Sequence, residues 1–205
     1  MIKNIIFDWS GVVKDSIENH LFVVNKVFEE VGVNKISLEE LKENWRQPYM
    51  GFFNKYASNL TLEEEQEMYR KWLMVAPEVK PFVGIIPLIK ESQKQGKGMF
   101  VLSSDFVETL LPEIENFGLG GVFVEVVGNS HDKTSDLLKL VAKHKLALAE
   151  TIFIGDTNHE IETAREVGIL SGAVTWGWTT KEKLMALKPD YLFENLEELR
   201  KVISN

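Results

Sequence analysis

The stretch IKNIIFDWSGVVKDS, residues 2–16, decides the fold. An apolar run ends on a carboxylate, Asp8, and the chain then turns at once through Gly11. A short β-branched run with no helical period reads as a buried strand, and a polar residue just past it sits where open parallel sheets bind ligands. Comparable apolar runs recur at Met99 to Leu102, Val122 to Val127, Thr151 to Ile154, Ala173 to Thr175 and Tyr191 to Phe193. Helical patterns separate most of them. This alternation predicts βαβ units: an α/β, Rossmann-like doubly wound parallel sheet with helices on both faces.

Local chemistry supports the helices between these strands. Pro87 suits a first turn before LIKESQKQ, Gly96 and Gly168 can close helices, and Asn195 with Glu198 has cap spacing. From Ser16 to Lys80 every strong pattern is helical, with no strand between. Ile17, Leu21, Val24, Phe28 and Val31 keep one face apolar, while Ser37 with Glu40 and Thr61 with Glu64 have capping-box spacing. Pro77 and Pro81 end the segment. It reads as a helical cap, residues 16–80, inserted into a core of residues 1–15 and 81–205. The acidic run at 63–67 is simplest as a solvated helix face.

Composition removes several function classes. At 205 residues with 44% hydrophobic content the chain can bury a real core. A net charge of -8 with interspersed signs offers no basic stripe for a phosphate backbone, so nucleic acid is not an expected partner. The absence of cysteine excludes disulfides, thiolate metal sites and a catalytic thiol. No apolar run reaches membrane-spanning length and the N-terminus has no signal-peptide pattern, so no membrane partner and a cytoplasmic location are expected. Oligomeric state is not legible.

Four residues beyond strand ends or in a following loop carry the chemistry: Asp8, Ser103 after MFVL, Lys133 in GNSHDKTS, and Asp156 after TIFIG. Each alone is an ordinary turn residue, cap or surface lysine. Together, a carboxylate, a hydroxyl, a lysine and a second carboxylate form a coherent phosphate and magnesium site.

In FDWSGVVKDS, VLSSD, Lys133 and GDTNHE the sequence resembles the haloacid dehalogenase superfamily, mostly Mg2+-dependent phosphohydrolases. Its first motif is typically F-D-x-D-G-[TV]-[LV]-x-D-[ST] and its fourth G-D-x-x-x-D. The tail from Gly172 to Leu199 and the position of the cap resemble the phosphoglycolate phosphatase and β-phosphoglucomutase branch. The resemblance implies that Asp8 attacks phosphorus to form an aspartyl phosphate, and that Ser103, Ser104 and Lys133 bind the phosphoryl group of a small phosphorylated substrate. It implies a Mg2+ cofactor held by Asp8, the backbone carbonyl of Ser10 and Asp156, with Glu160, standing where the last motif Asp would be, in contact directly or through water.

Ser10 departs from the pattern, since the family's phosphatases carry there the carboxylate that protonates the leaving alcohol and activates water. Losing such a group costs about 10²- to 10⁴-fold, which predicts slow or atypical turnover. Three readings follow: a phosphatase for leaving groups that need little protonation, such as acyl or phenolic phosphates; a phosphonate C–P hydrolase with Lys55 as Schiff base; or a catalytically weak regulator binding a phospholigand or protein. Dehalogenases proper also lack that carboxylate but work without magnesium, whereas Asp156 remains here as a metal ligand. His20 is a candidate stand-in acid or base. Tyr49, Phe52, Phe53 and Tyr56 are expected to be cap core or a substrate wall, Trp176 and Trp178 a rim, and Arg46 a contact for a substrate anion.

Overall fold

A computed structural model describes residues 1–46 and 48–204. Its centre is a parallel sheet of β1 (Asn4–Phe7), β4 (Gly98–Leu102), β5 (Glu125–Val127), β6 (Thr151–Gly155), β7 (Leu170–Val174) and β8 (Tyr191–Phe193), in the order β5-β4-β1-β6-β7-β8. Asn205, the last residue of the expected core, lies outside the described residues. The four central strands, β4, β1, β6 and β7, are buried along nearly their whole length, which explains why they read as continuous runs without apolar–polar alternation. The edge strands β5 and β8 are only partly buried. One face is closed by α5 (Ile85–Lys94), α6 (Val107–Asn116) and α10 (Leu196–Ile203), whose Leu88, Leu110 and Leu199 pack on Ile5, Phe7 and Val101. The other is closed by α7 (Lys133–His144) and α8 (Asn158–Val167), with Leu137 and Ala164 on Ile6 and Phe153, while Leu184 of α9 (Lys181–Ala186) packs on Ile161 and Ala173.

Between β2 (Lys14–Asp15) and β3 (Lys80–Pro81) run α1 (Ile17–Glu30), α2 (Leu38–Asn44), α3 (Met50–Tyr56) and α4 (Leu62–Leu73). These helices enclose their own apolar cluster around Val24, Phe28, Leu41, Phe52 and Phe53. Thr61 and Glu64 form the full reciprocal capping box, whereas Ser37 only accepts from the Glu40 amide. β2 and β3 pair antiparallel at the two ends of the segment, Lys14 with Pro81 and Asp15 with Lys80. Two residues per strand are too short to leave a pattern in sequence, so this ribbon is visible only in the structure. The strand expected at Ala173 to Thr175 begins earlier, at Leu170, and that expected from Val122 is confined to Glu125–Val127. Among the described residues no helix is long and apolar enough to cross a membrane.

Candidate active site

Strand register brings the separated residues together. β1 lies between β4 and β6, with Phe7 aligned to both Val101 and Ile154, so the residues just past the three strands open at one edge. These are Asp8, Ser103 and Asp156. Lys133 arrives from the first turn of α7, whose cap Asp132 accepts from the Ser135 amide. All four side chains are at least nine-tenths buried.

The Lys133 ammonium lies 3.1 Å from Asp8 Oδ1 and 2.5 Å from Glu160 Oε1. Asp8, Asp156 and Glu160 each present a carboxylate oxygen within 4.8 Å of the others. One lysine cannot neutralise three carboxylates at such separations. Burial pushes Asp8 up to about 7 although Lys133 pulls the other way, and burial with Asp8 and Glu160 alongside holds Asp156 well above the carboxylate range. Glu160 is opposite: burial is the largest single effect and would raise it, but Lys133, His159 and the Thr157 hydroxyl together take it down to about 2. Glu160 also accepts from the Thr157 amide (3.1 Å) and hydroxyl (2.6 Å), so it is both a helix cap and a partner of Lys133.

Asp156 is wedged in place. A Cβ on Gly11, which has φ +83, would stand 2.2 Å from its Oδ2, and one on Gly177 would stand 2.3 Å from the same atom. Two glycines are therefore needed for this carboxylate to face Asp8. Its Oδ2 accepts from the Trp178 amide at 2.7 Å, while its Oδ1 is buried with no hydrogen-bond partner among the described residues. A buried carboxylate oxygen left unpaired beside two more carboxylates is strongly unfavourable unless the group takes a proton or a cation sits there. Hard oxygen donors of this kind fit a divalent ion such as magnesium.

Ser10 has a partner that the linear motif did not reveal. Its hydroxyl lies 3.0 Å and 2.8 Å from the two oxygens of Asp105, which is ion-paired to Lys14 at 2.9 Å. Lys14 also meets Glu113 at 3.0 Å, and Glu113 accepts from the Trp9 indole at 2.9 Å. Burial would raise Asp105, but Lys14 and Ser10 hold it below its usual value. A carboxylate is thus present beside Ser10, supplied from the loop after β4. The sequence signals are Asp105 two residues past Ser103 and the charge of Lys14 directly after the apolar GVV run.

Ser103 and Ser104 both line the cavity. The Ser103 hydroxyl accepts from the Asp105 amide at 3.2 Å, and Ser104 donates to the Ser130 carbonyl at 2.8 Å. The cavity encloses roughly 930 Å³ including its open mouth, with Asp8 and Lys133 at the floor and helices α1, α3 and α4 above. Trp45, Tyr49, Phe53, Tyr69, Phe106 and Trp178 supply an aromatic wall. Phe52 and Tyr56 stay in the helical cluster, and Trp176 turns inward to pack on Phe82 and donate to the Val12 carbonyl.

Three other expectations are corrected. His20 stacks on Trp178 with centroids 4.3 Å apart, bonds Tyr69 through Nδ1, and leaves Nε2 buried and unpaired. Burial takes it down to about 3, so it stays neutral and cannot replace an acid. Lys55 is exposed, hydrogen-bonded to Asn44 and set over the Tyr56 ring, away from the cavity; the imine reading of the phosphonate hydrolase loses its residue. Arg46 lies against Gly51 and is not among the lining residues.

Residues 5–174 match the haloacid dehalogenase-like hydrolase family. The chain belongs to that family. It is a hydrolase. Along 99% of this chain and 98% of its own length, a phosphoglycolate phosphatase of Synechococcus elongatus is 25% identical. A solved protein from Bacteroides fragilis, described as haloacid dehalogenase-like, superposes with a TM-score of 0.88 at 20% identity, covering 97% of this chain and all (100%) of its own. A predicted phosphatase from Clostridium acetobutylicum gives 0.86 at 23% identity over 99% of each chain. These likenesses carry the six-stranded Rossmann-like fold.

Proposed function

We propose that this hydrolase is a phosphatase acting on small phosphorylated metabolites, with Asp8 as nucleophile and with leaving groups that depart without a proton. The observation that carries this reading is the buried Asp8 carboxylate at the cavity floor, 3.1 Å from Lys133 and within 4.8 Å of a carboxylate oxygen of Asp156 and of Glu160. Asp8 attacks phosphorus, a P–O bond to the leaving group breaks with its electron pair, and an aspartyl phosphate forms; water then displaces Asp8 and phosphate is released. Lys133 and the Ser103 hydroxyl stabilise the phosphoryl oxygens, with Ser104 beside them. Asp8, Asp156 and the Ser10 carbonyl would hold Mg2+, with Glu160 behind; the ion would supply charge that offsets repulsion between carboxylate and phosphate.

Proton transfer sets the substrate preference. Ser10 cannot act as an acid, its neighbour Asp105 is held in the ionised form by Lys14, and His20 is neutral. Phenolic or acyl phosphates therefore turn over faster than alkyl phosphates. Residues 16–80 serve as a cap over the core of residues 1–15 and 81–205, with the β2–β3 ribbon at the point where it moves, and closure excludes water. Mixing the protein with acetyl phosphate and magnesium is expected to add one phosphoryl mass on Asp8, absent in Asp8→Asn. An unmodified Asp8 at every time point would overturn the reading.

A further inference from the structure

Glu65 stands apart from the phosphoryl machinery. It lies on α4 one turn before Tyr69 and two before Leu73, and this face lines the cavity opposite the sheet. Its side chain is only 2% exposed, yet no hydrogen bond or ion pair reaches it among the described residues. The sequence placed it on a solvated helix face; the structure turns it inward. Burial alone pushes its carboxyl up to about 8, because no cation is near to offset the loss of water.

Among the described lining residues, neither lysine is free to pair with it. Lys14 is committed to Asp105 and Glu113, and Lys133 to Asp8 and Glu160. Trp45, His20 and Trp178 pack ring on ring along this wall, with Nε1 of both indoles and Nε2 of His20 buried and without a hydrogen-bond partner among the described residues. A buried carboxyl group without a partner, set among aromatic rings, is the chemistry that selects an ammonium: the carboxylate takes the charge and the ring faces add cation–π attraction. A leaving group bearing a carboxylate would instead meet like charge and find both lysines occupied.

We propose that Glu65 is a specificity residue and that the substrate is a phosphate ester whose leaving group carries a protonated amine on an apolar, preferably aromatic, skeleton. This rests on the phosphatase reading for the phosphate end, but the amine end can be tested without it. The probes are phenols with a para aminoalkyl tail of one to four methylenes, each paired with the isostere in which methyl replaces the ammonium. Calorimetry on the wild-type protein measures the phosphate-free phenols, and steady-state kinetics in magnesium measures their phosphates.

At one tail length the amine is expected to bind about tenfold tighter or more than its isostere, with the same ratio in KM of the phosphates. In E65Q that preference disappears, and E65D moves it to a longer tail. Equal affinity for amine and isostere at every length overturns the proposal, as does a preference that survives E65Q. Should wild type bind the amines selectively but never become phosphorylated on Asp8, the phosphatase reading fails and the phosphate ester with it, while recognition of the amine by Glu65 stands. Because the wild-type comparison alone decides the main point, a poorly folded variant cannot rescue the idea.

Discussion

Replacing Asp156 by asparagine should reverse sign with magnesium. Without a cation, Asp8, Asp156 and Glu160 share a pocket within 4.8 Å with one lysine, a formal charge of -3 + 1 = -2. Asp8 is raised from 3.8 to about 7, so the stability linked to it is fully present below its unfolded value and drains away as pH rises through 7. Each pH unit within that window costs about 1.4 kcal/mol. Asp156 is raised as well, adding to the same trend. Asparagine keeps an oxygen for the Trp178 amide and removes one charge, so in EDTA at pH 8 the variant should melt at or above wild type.

Magnesium changes the ranking. A site filled at a hundred times its dissociation constant gains about 2.7 kcal/mol, which for a chain of this size is about 5–10 °C. Wild type should show that shift between EDTA and magnesium by differential scanning fluorimetry, and Asp156→Asn should lose nearly all of it. The two melting curves therefore cross. If magnesium leaves wild type unmoved, or shifts the variant equally, the unpaired Asp156 oxygen is not a cation ligand and the charge argument is wrong.

Ser10→Asp would place a carboxylate where Asp105 already lies 2.8 Å from the serine hydroxyl, so the single variant should lose about 1–3 kcal/mol in a denaturant melt. Adding Asp105→Ser should restore stability and raise turnover of alkyl phosphates about 10²-fold or more; no gain in the double variant would show that proton transfer is not what is missing. Lys133→Met leaves buried Asp8 and Glu160 without their counter-charge and should cost about 3–5 kcal/mol at pH 7, shrinking in acid as Asp8 takes a proton. A loss independent of pH would refute the pairing. Glu65→Gln should be more stable than wild type at pH 9, with the gap closing toward pH 4.5, because a carboxyl raised to about 8 loses stability as pH climbs through that range. Parallel stability curves for the two proteins would contradict the burial of Glu65.

Much of the frame is written in local pattern. Buried parallel strands must be apolar throughout, helices announce their caps, and a carboxylate past a strand end is placed by the sheet itself. Asp8, Ser103, Lys133 and Asp156 could therefore be found by reading outward from IIFDWSG, and their chain order with the motif resemblance pointed to phosphoryl chemistry. Lys55 and His20 were misplaced because a single polar residue on a helix says little about which way it faces.

What the linear chain could not disclose are partnerships made across distance. Ser10 reads as a missing carboxylate until Asp105, 95 residues later, is seen closing on its hydroxyl. Glu65 reads as one acid in an exposed run until α4 packs against α1 and turns it toward the cavity. The placement of the Asp156 carboxylate depends on Gly11 and Gly177 leaving room beside it. Backbone pattern is set by neighbours a few residues apart and so survives in sequence; charge compensation and desolvation depend on what surrounds a side chain in space, and only packing decides that.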